Sequence, residues 1–108
     1  MLTFMALGEF ELLVLLAVSR LDDAYAVSVR EEIEARTGRP AARGSVYITL
    51  DRLTRKGYLR EHSITRPGER GGAAKRLFAP TAEGKAAAKD ALAGLRRMQQ
   101  GLAWLTRD

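Results

Sequence analysis

The chain reads as a mostly α-helical domain that carries one small β-hairpin, and three observations predict this. Apolar residues recur at helical spacing in three successive stretches, each followed by a Gly or Asp break. After Gly57, two short strand-like runs flank a tip rich in Gly and basic residues. From residue 82 onward an Ala-, Lys-, Leu- and Arg-rich stretch steps its larger apolar residues by three or four. Together these give a winged helix-turn-helix domain over residues 1–80, with helices at about 8–21, 24–37 and 44–56 and a wing hairpin over 58–79, followed by a C-terminal dimerisation helix over 81–108.

In the first helix, Phe10, Leu12, Leu13, Leu15, Leu16 and Val18 cover most of the helical circle. A helix of that kind is buried on more than one side: one side faces its own core, and Phe10 and Leu13 are expected against a second subunit. Asp22 and Asp23 interrupt the pattern and can cap the second helix. In that helix Ala26, Val29 and Ile33 form a narrow stripe, with Arg30, Glu31, Glu32, Glu34 and Arg36 mostly outside it. Gly38 ends this helix, and Pro40 biases Arg39 away from helical angles, so residues 38–42 form a short connector.

The third helix organises the rest. Val46, Leu50 and Leu53 fall at i, i+4 and i+7 and face the core, while Ser45, Ile48, Asp51, Arg52 and Arg55 project from the other side. Gly44 and Ser45 are a plausible start, through a hydroxyl cap, and Gly57 is a left-handed stop. A surface with arginines, hydroxyls and one exposed branched apolar group suits a polyanion, so this is read as a recognition helix. The strands Tyr58–Ile64 and Lys75–Ala79 then form the wing, its tip marked by Pro67-Gly68 and Gly71-Gly72. Arg66, Arg70, Lys75 and Arg76 either reach phosphates or a minor groove or keep an exposed edge soluble.

In the last helix Leu92, Leu95, Met98, Leu102 and Leu105 make one stripe, extended by Ala88 and Ala91 and weakened at Gly84, Gly94 and Gly101. A single helix of about 25 residues is about 37 Å long, more than this domain can cover, so it is expected to pack on another chain.

Charge and composition bound the function. The 108 residues carry a net charge of +5, but residues 1–38 hold three basic and seven acidic groups while residues 39–76 hold ten and three. The basic footprint therefore coincides with the third helix and wing, as for nucleic-acid binding. With no Cys and the single His62, expected to be an exposed neutral side chain, the common metal sites and any nucleophile–base–orienter set cannot be assembled. No metal, no cofactor and no enzymatic activity is expected. The apolar run from Leu12 to Val18 is too short for a bilayer, and no leader pattern precedes it, so no membrane association and a cytoplasmic location are expected.

The spaced residues Gly44-Ser45-Val46-Tyr47, Leu50, Leu53 and Gly57-Tyr58-Leu59, the Gly-rich basic hairpin, and Lys75-Arg76-Leu77-Phe78 followed by Thr81 and Gly84, resemble the PadR family of bacterial transcriptional regulators over almost the whole chain. The resemblance implies a dimeric winged helix-turn-helix, usually a repressor, whose C-terminal helices interlock with the partner's first helix and whose operator DNA is released by a small molecule or other cellular signal. Ser45, Tyr47, Thr49 and Arg52 would contact phosphate or bases, and the hairpin from Arg66 to Arg76 would be the wing. Ile48 stands where relatives often have Pro, and Ala73-Ala74 dilute a hairpin that is often more basic.

The expected DNA contacts are thus Arg43, Ser45, Tyr47, Ile48, Thr49, Arg52, Arg55, Lys56, Arg66, Arg70, Lys75 and Arg76. Several have a plainer alternative. Tyr47 either packs or bonds a phosphate, Arg55 either contacts DNA or pairs with Asp51, and Ile48 either meets a thymine methyl or is a tolerated surface residue. Trp104, the only Trp, either packs in the dimer interface or stacks on a flat aromatic effector, as in drug-sensing members of that family. The partners expected are double-stranded DNA, a second copy of the chain and a small-molecule effector; a protein-interaction module on the same scaffold is the competing function.

Overall fold

Residues 6–64 and 75–106 are described by the computed structural model of the chain. Helix α1 (Glu9–Arg20) buries Leu12, Val14, Leu15, Ala17 and Val18, while Phe10, Leu13 and Leu16 pack at the margin of the same core. Its start is set by Glu11, whose Oε1 accepts the Gly8 amide at 2.9 Å and so satisfies one orphan donor of the first turn.

Helix α2 (Ala26–Thr37) begins two residues later than its apolar pattern suggests. The reason is tertiary. Ala24 is fully buried and its carbonyl accepts the Phe78 amide at 2.9 Å, so this residue is pinned as a strand-like bridge before the helix can start. Asp22 and Asp23 lie in the exposed turn, and the cap comes instead from Ser28, whose Oγ accepts the Tyr25 amide at 3.1 Å. Gly38, at φ 70°, ends the helix as its spacing predicts. The connector to the next helix is fastened from α2: Arg30 donates to the Ala41 carbonyl at 2.8 Å and Glu34 accepts the Ala41 amide at 2.9 Å.

Helix α3 (Arg43–Arg55) starts one residue early, with Ala42 at its N-cap and no side-chain cap, so Ser45 is inside the first turn rather than capping it. Its end is a Schellman turn: the Tyr58 amide donates to Leu53 and the Gly57 amide to Thr54, at 2.9 and 3.0 Å, with Gly57 at φ 81°. Strands β1 (Leu59–Ile64) and β2 (Lys75–Pro80) then pair antiparallel, in register from Leu59 with Pro80 to Ile64 with Lys75. Arg66, Arg70 and the expected tip lie outside the described residues.

Helix α4 (Ala82–Gln99) is capped by Thr81, whose Oγ1 accepts the Gly84 amide at 3.0 Å. The expected single helix to about residue 106 does not form. Gln100 is extended, Gly101 turns left-handed at φ 83°, and a separate short helix α5 (Ala103–Thr106) comes after it. Glycine tolerates that conformation at no steric cost, so the break falls at one of the three glycines of the stretch, while Gly84 and Gly94 stay helical. Among the described residues no helix is long and apolar enough to cross a membrane.

Candidate nucleic-acid interface

The packing of α3 decides which of its side chains are available. Val46, Leu50 and Leu53 are essentially inaccessible in the core, which turns Arg43, Ser45, Tyr47, Ile48, Asp51, Arg52 and Arg55 outward. Thr49 departs from the expected contact set. It is 5% exposed and lies on the core side, because it is one turn from Leu53 and next to Leu50.

The outward surface has two flanks. Toward α1, Ser45, Ile48 and Arg52 line an open groove of about 770 Å³ with Phe10 and Pro40. Toward the wing, Tyr47 borders a smaller niche of about 200 Å³ with Tyr25, Lys75, Arg76 and Phe78. Lys75 stands over the Tyr25 ring, its Nζ 3.9 Å from the centroid, which holds its charge beside Tyr47. Tyr25 is a member of this niche that sequence reasoning missed; the Ser three residues after it, able to bond its amide, was the available signal.

Arg43, Arg52 and Arg55 make no ion pair with any described residue, so their guanidinium groups are open to an external anion. Two other expected contacts are engaged within the protein. Lys56 points back to α1, donating to Glu11 Oε2 at 2.7 Å and to the Ala6 carbonyl at 3.2 Å, with its side chain only 19% exposed. Burial alone would raise the Glu11 pKa, but the bonds from Lys56 and the Gly8 amide, with the nearby charges of Lys56 and Arg52, outweigh it and keep the carboxyl below the ordinary range.

Arg76 is likewise engaged within the protein. Its Nη2 donates to Asp51 Oδ1 at 2.7 Å and to Glu61 Oε1 at 3.1 Å, and its Nε to Glu61 Oε2 at 2.5 Å. Asp51 therefore pairs with the wing and not with Arg55. The hydrogen bond from Arg76 holds the Glu61 carboxyl below its usual range, and Arg76 itself is pushed further up. His62, on β1, is exposed.

A second surface lies away from these groups. Leu92, Leu95, Met98, Leu102 and Leu105 are exposed, Met98 to 77%, and Trp104 to 69%. Phe10 and Leu13 are half-buried. Between the start of α1 and the second half of α4 runs a groove of about 720 Å³ lined by Leu7, Leu12, Ala91, Leu95 and Met98.

Two helices joined by a tight connector, the second carrying unpaired arginines and flanked by an antiparallel hairpin, define a winged helix-turn-helix protein. Within that class the chain belongs to the transcriptional regulator PadR-like family, whose profile matches residues 14–90. That is a family of transcriptional regulators, not of enzymes. No curated protein matches the sequence.

Solved structures share the fold. A PadR-like transcription factor from Bacteroides fragilis superposes with a TM-score of 0.75 at 15% identity, covering 92% of this chain and 91% of that one. A PadR family regulator from Clostridium difficile R20291 gives 0.76 at 16% identity, covering 93% and 100%. Bacillus subtilis PadR in complex with operator DNA gives 0.68 at 16%, covering 79% of this chain and 47% of that one.

Proposed function

We propose that the chain is a sequence-specific DNA-binding regulator that acts as a homodimer on an inverted repeat, in the repressor role that the family resemblance implies. The observation that carries this reading is the outward surface of α3, where Arg43, Arg52 and Arg55 form no ion pair with a described residue while Ser45, Tyr47 and Ile48 lie between them. Arginines on a recognition helix can grip guanine edges bidentately, and hydroxyls and amides can hold phosphates in register. The relative from Bacillus subtilis that shares this fold is a complex with operator DNA.

Lys75 and, beyond the described residues, Arg66 and Arg70 supply the wing's charge. Thr49, being buried, and Lys56 and Arg76, being held by carboxylates, leave the set of direct contacts. The apolar stripe of α4 and α5, with Phe10 and Leu13, is the dimer surface of this reading. Trp104 beside that stripe is the group that a flat aromatic effector would stack on, releasing the DNA by altering the dimer.

The test is enrichment of a random duplex library on the purified protein, followed by binding at low and physiological salt. An inverted repeat with half-sites about 10 bp apart is expected, with affinity falling steeply as salt rises. Arg52→Ala should weaken binding to the selected repeat more than to random DNA; equal losses would remove Arg52 as a base reader. Salt-sensitive but unselective binding would make the protein an architectural DNA binder, and no binding at low salt would favour a protein-interaction module.

A further inference from the structure

An acidic residue on the outward side of a DNA-binding helix repels phosphates unless something neutralises it. Asp51 is such a residue, and Arg76 reaches it from the wing at 2.7 Å. The same guanidinium forks onto Glu61 through Nε and Nη2, and its carbon Cζ stands 5.3 Å from the centroid of the Phe78 ring. Phe78 is buried and its amide is bonded to Ala24, so one side of the guanidinium rests on a fixed wall. Arg76 thereby joins β2, β1 and α3 through a single planar group.

Its place along the hairpin gives the arrangement a purpose. A two-stranded hairpin is marginally stable by itself. Here the base is anchored, since the Thr81 amide donates to the Tyr58 carbonyl at 3.1 Å and the Thr81 hydroxyl to the Gly57 carbonyl at 2.6 Å. Arg76 lies four pairs further along, paired with Ser63 and next to Ile64 with Lys75, the last pair among the described residues. The hydrogen bond to Asp51 ties this part of the hairpin, away from its anchored base, to the recognition helix.

We infer that Arg76 is a positioning residue, which through Asp51 and Glu61 fixes the angle of the wing against the recognition helix and thereby sets the affinity for specific DNA without contacting it. This rests on the DNA-binding reading of α3 and adds that the carboxylate of Asp51 assists binding. Simple electrostatics gives the opposite sign, because removing a negative charge from a DNA-facing surface should tighten binding to every duplex.

The experiment compares wild type, Asp51→Asn, Arg76→Gln and the double variant on the duplex selected by the wild-type protein and on random DNA, across a salt series, with thermal melting as a check on folding. Each single variant is expected to weaken specific binding by about three- to ten-fold, with random binding within about two-fold of wild type and the double variant no worse than either single. Asp51→Asn binding the selected duplex as tightly as wild type, or tighter, would overturn the inference. So would a drop of about one in the salt slope for Arg76→Gln, the mark of a lost phosphate contact. If either variant fails to fold, Glu61→Gln, which cuts the same guanidinium loose from β1, should give the same selective loss; unchanged specific binding there overturns it too. Failure of the wild-type protein to select any duplex would instead overturn the DNA-binding reading, and the inference with it.

Discussion

At Gly84 the helix α4 comes so close to the turn after α3 that no side chain fits. A Cβ built there would lie 2.1 Å from the Tyr58 carbonyl oxygen, which is backbone and cannot swing away. Helix propensity favours Gly84→Ala by about 1 kcal/mol, but overpacking against fixed backbone costs about 1–3 kcal/mol, and at this distance the upper end applies. The variant should therefore lose about 2 kcal/mol in urea unfolding; a gain in stability would show that α4 can slide off the turn. The spacing Thr81-x-x-Gly84 was legible in the sequence as part of a family pattern, yet its reason was not, because composition shows a glycine in a helix only as a weakness. The same blindness to partners from distant elements explains Lys56 and Arg76. Both are basic residues at basic-looking positions, but their acids, Glu11 and Glu61 with Asp51, lie 45, 15 and 25 residues away in sequence.

Between elements, the contact of Glu11 with Lys56 latches the start of α1 to the end of α3, and it carries a pH dependence whose sign is set by the direction of the shift. The Glu11 carboxyl is held below its ordinary value of 4.5 in the folded chain, so the ionised form contributes stability above about pH 4.5 and that contribution is lost as pH falls through the lower, folded value. Glu11→Gln should cost about 1–2 kcal/mol in urea unfolding at pH 7, and the gap from wild type should shrink as pH falls from 4.5 through the lower, folded value. A gap that stays constant across that range would mean that packing, not charge, is what the substitution removes. The order of elements was readable from apolar periodicity, since α2 and α3 bury the stripes their spacing defines, Val29 and Ile33 in α2 and Val46, Leu50 and Leu53 in α3. Their starts were less so. α2 is delayed by the bridge from Ala24 to Phe78, a pairing between segments with 53 residues between them, and α3 begins ahead of the serine that looked like its cap.

The whole molecule is longer than one core of this size requires. Its radius of gyration is 16.0 Å and its extents are 56 × 38 × 22 Å, against about 13 Å expected for the radius of a self-contained domain of about 100 residues. The excess is explained by α4 and α5: α4 is buried only at Gly84, Ala87 and Ala88, in its first half, and beyond them Leu92, Leu95, Met98, Leu102 and Leu105 are exposed. A contiguous apolar face of this kind calls for a cover, and in the proposed homodimer it is covered by the partner's equivalent face together with the margin of α1 at Phe10 and Leu13. The break at Gly101 changes the expected geometry, since Trp104 and Leu105 stand on a separate short helix and not on the continued rod of α4. Leu95→Glu combined with Met98→Glu places two charges per chain in that interface and should convert a dimer to a monomer in sedimentation velocity while leaving the helical circular dichroism unchanged, because neither side chain is buried in the domain's own core. The same variant should lose the inverted repeat and keep weak, salt-sensitive binding to single half-sites, since one recognition helix then acts alone. A wild-type chain that sediments as a monomer at tens of micromolar would remove the dimer from the proposal, and with it the two-fold symmetry that makes an inverted repeat the expected operator.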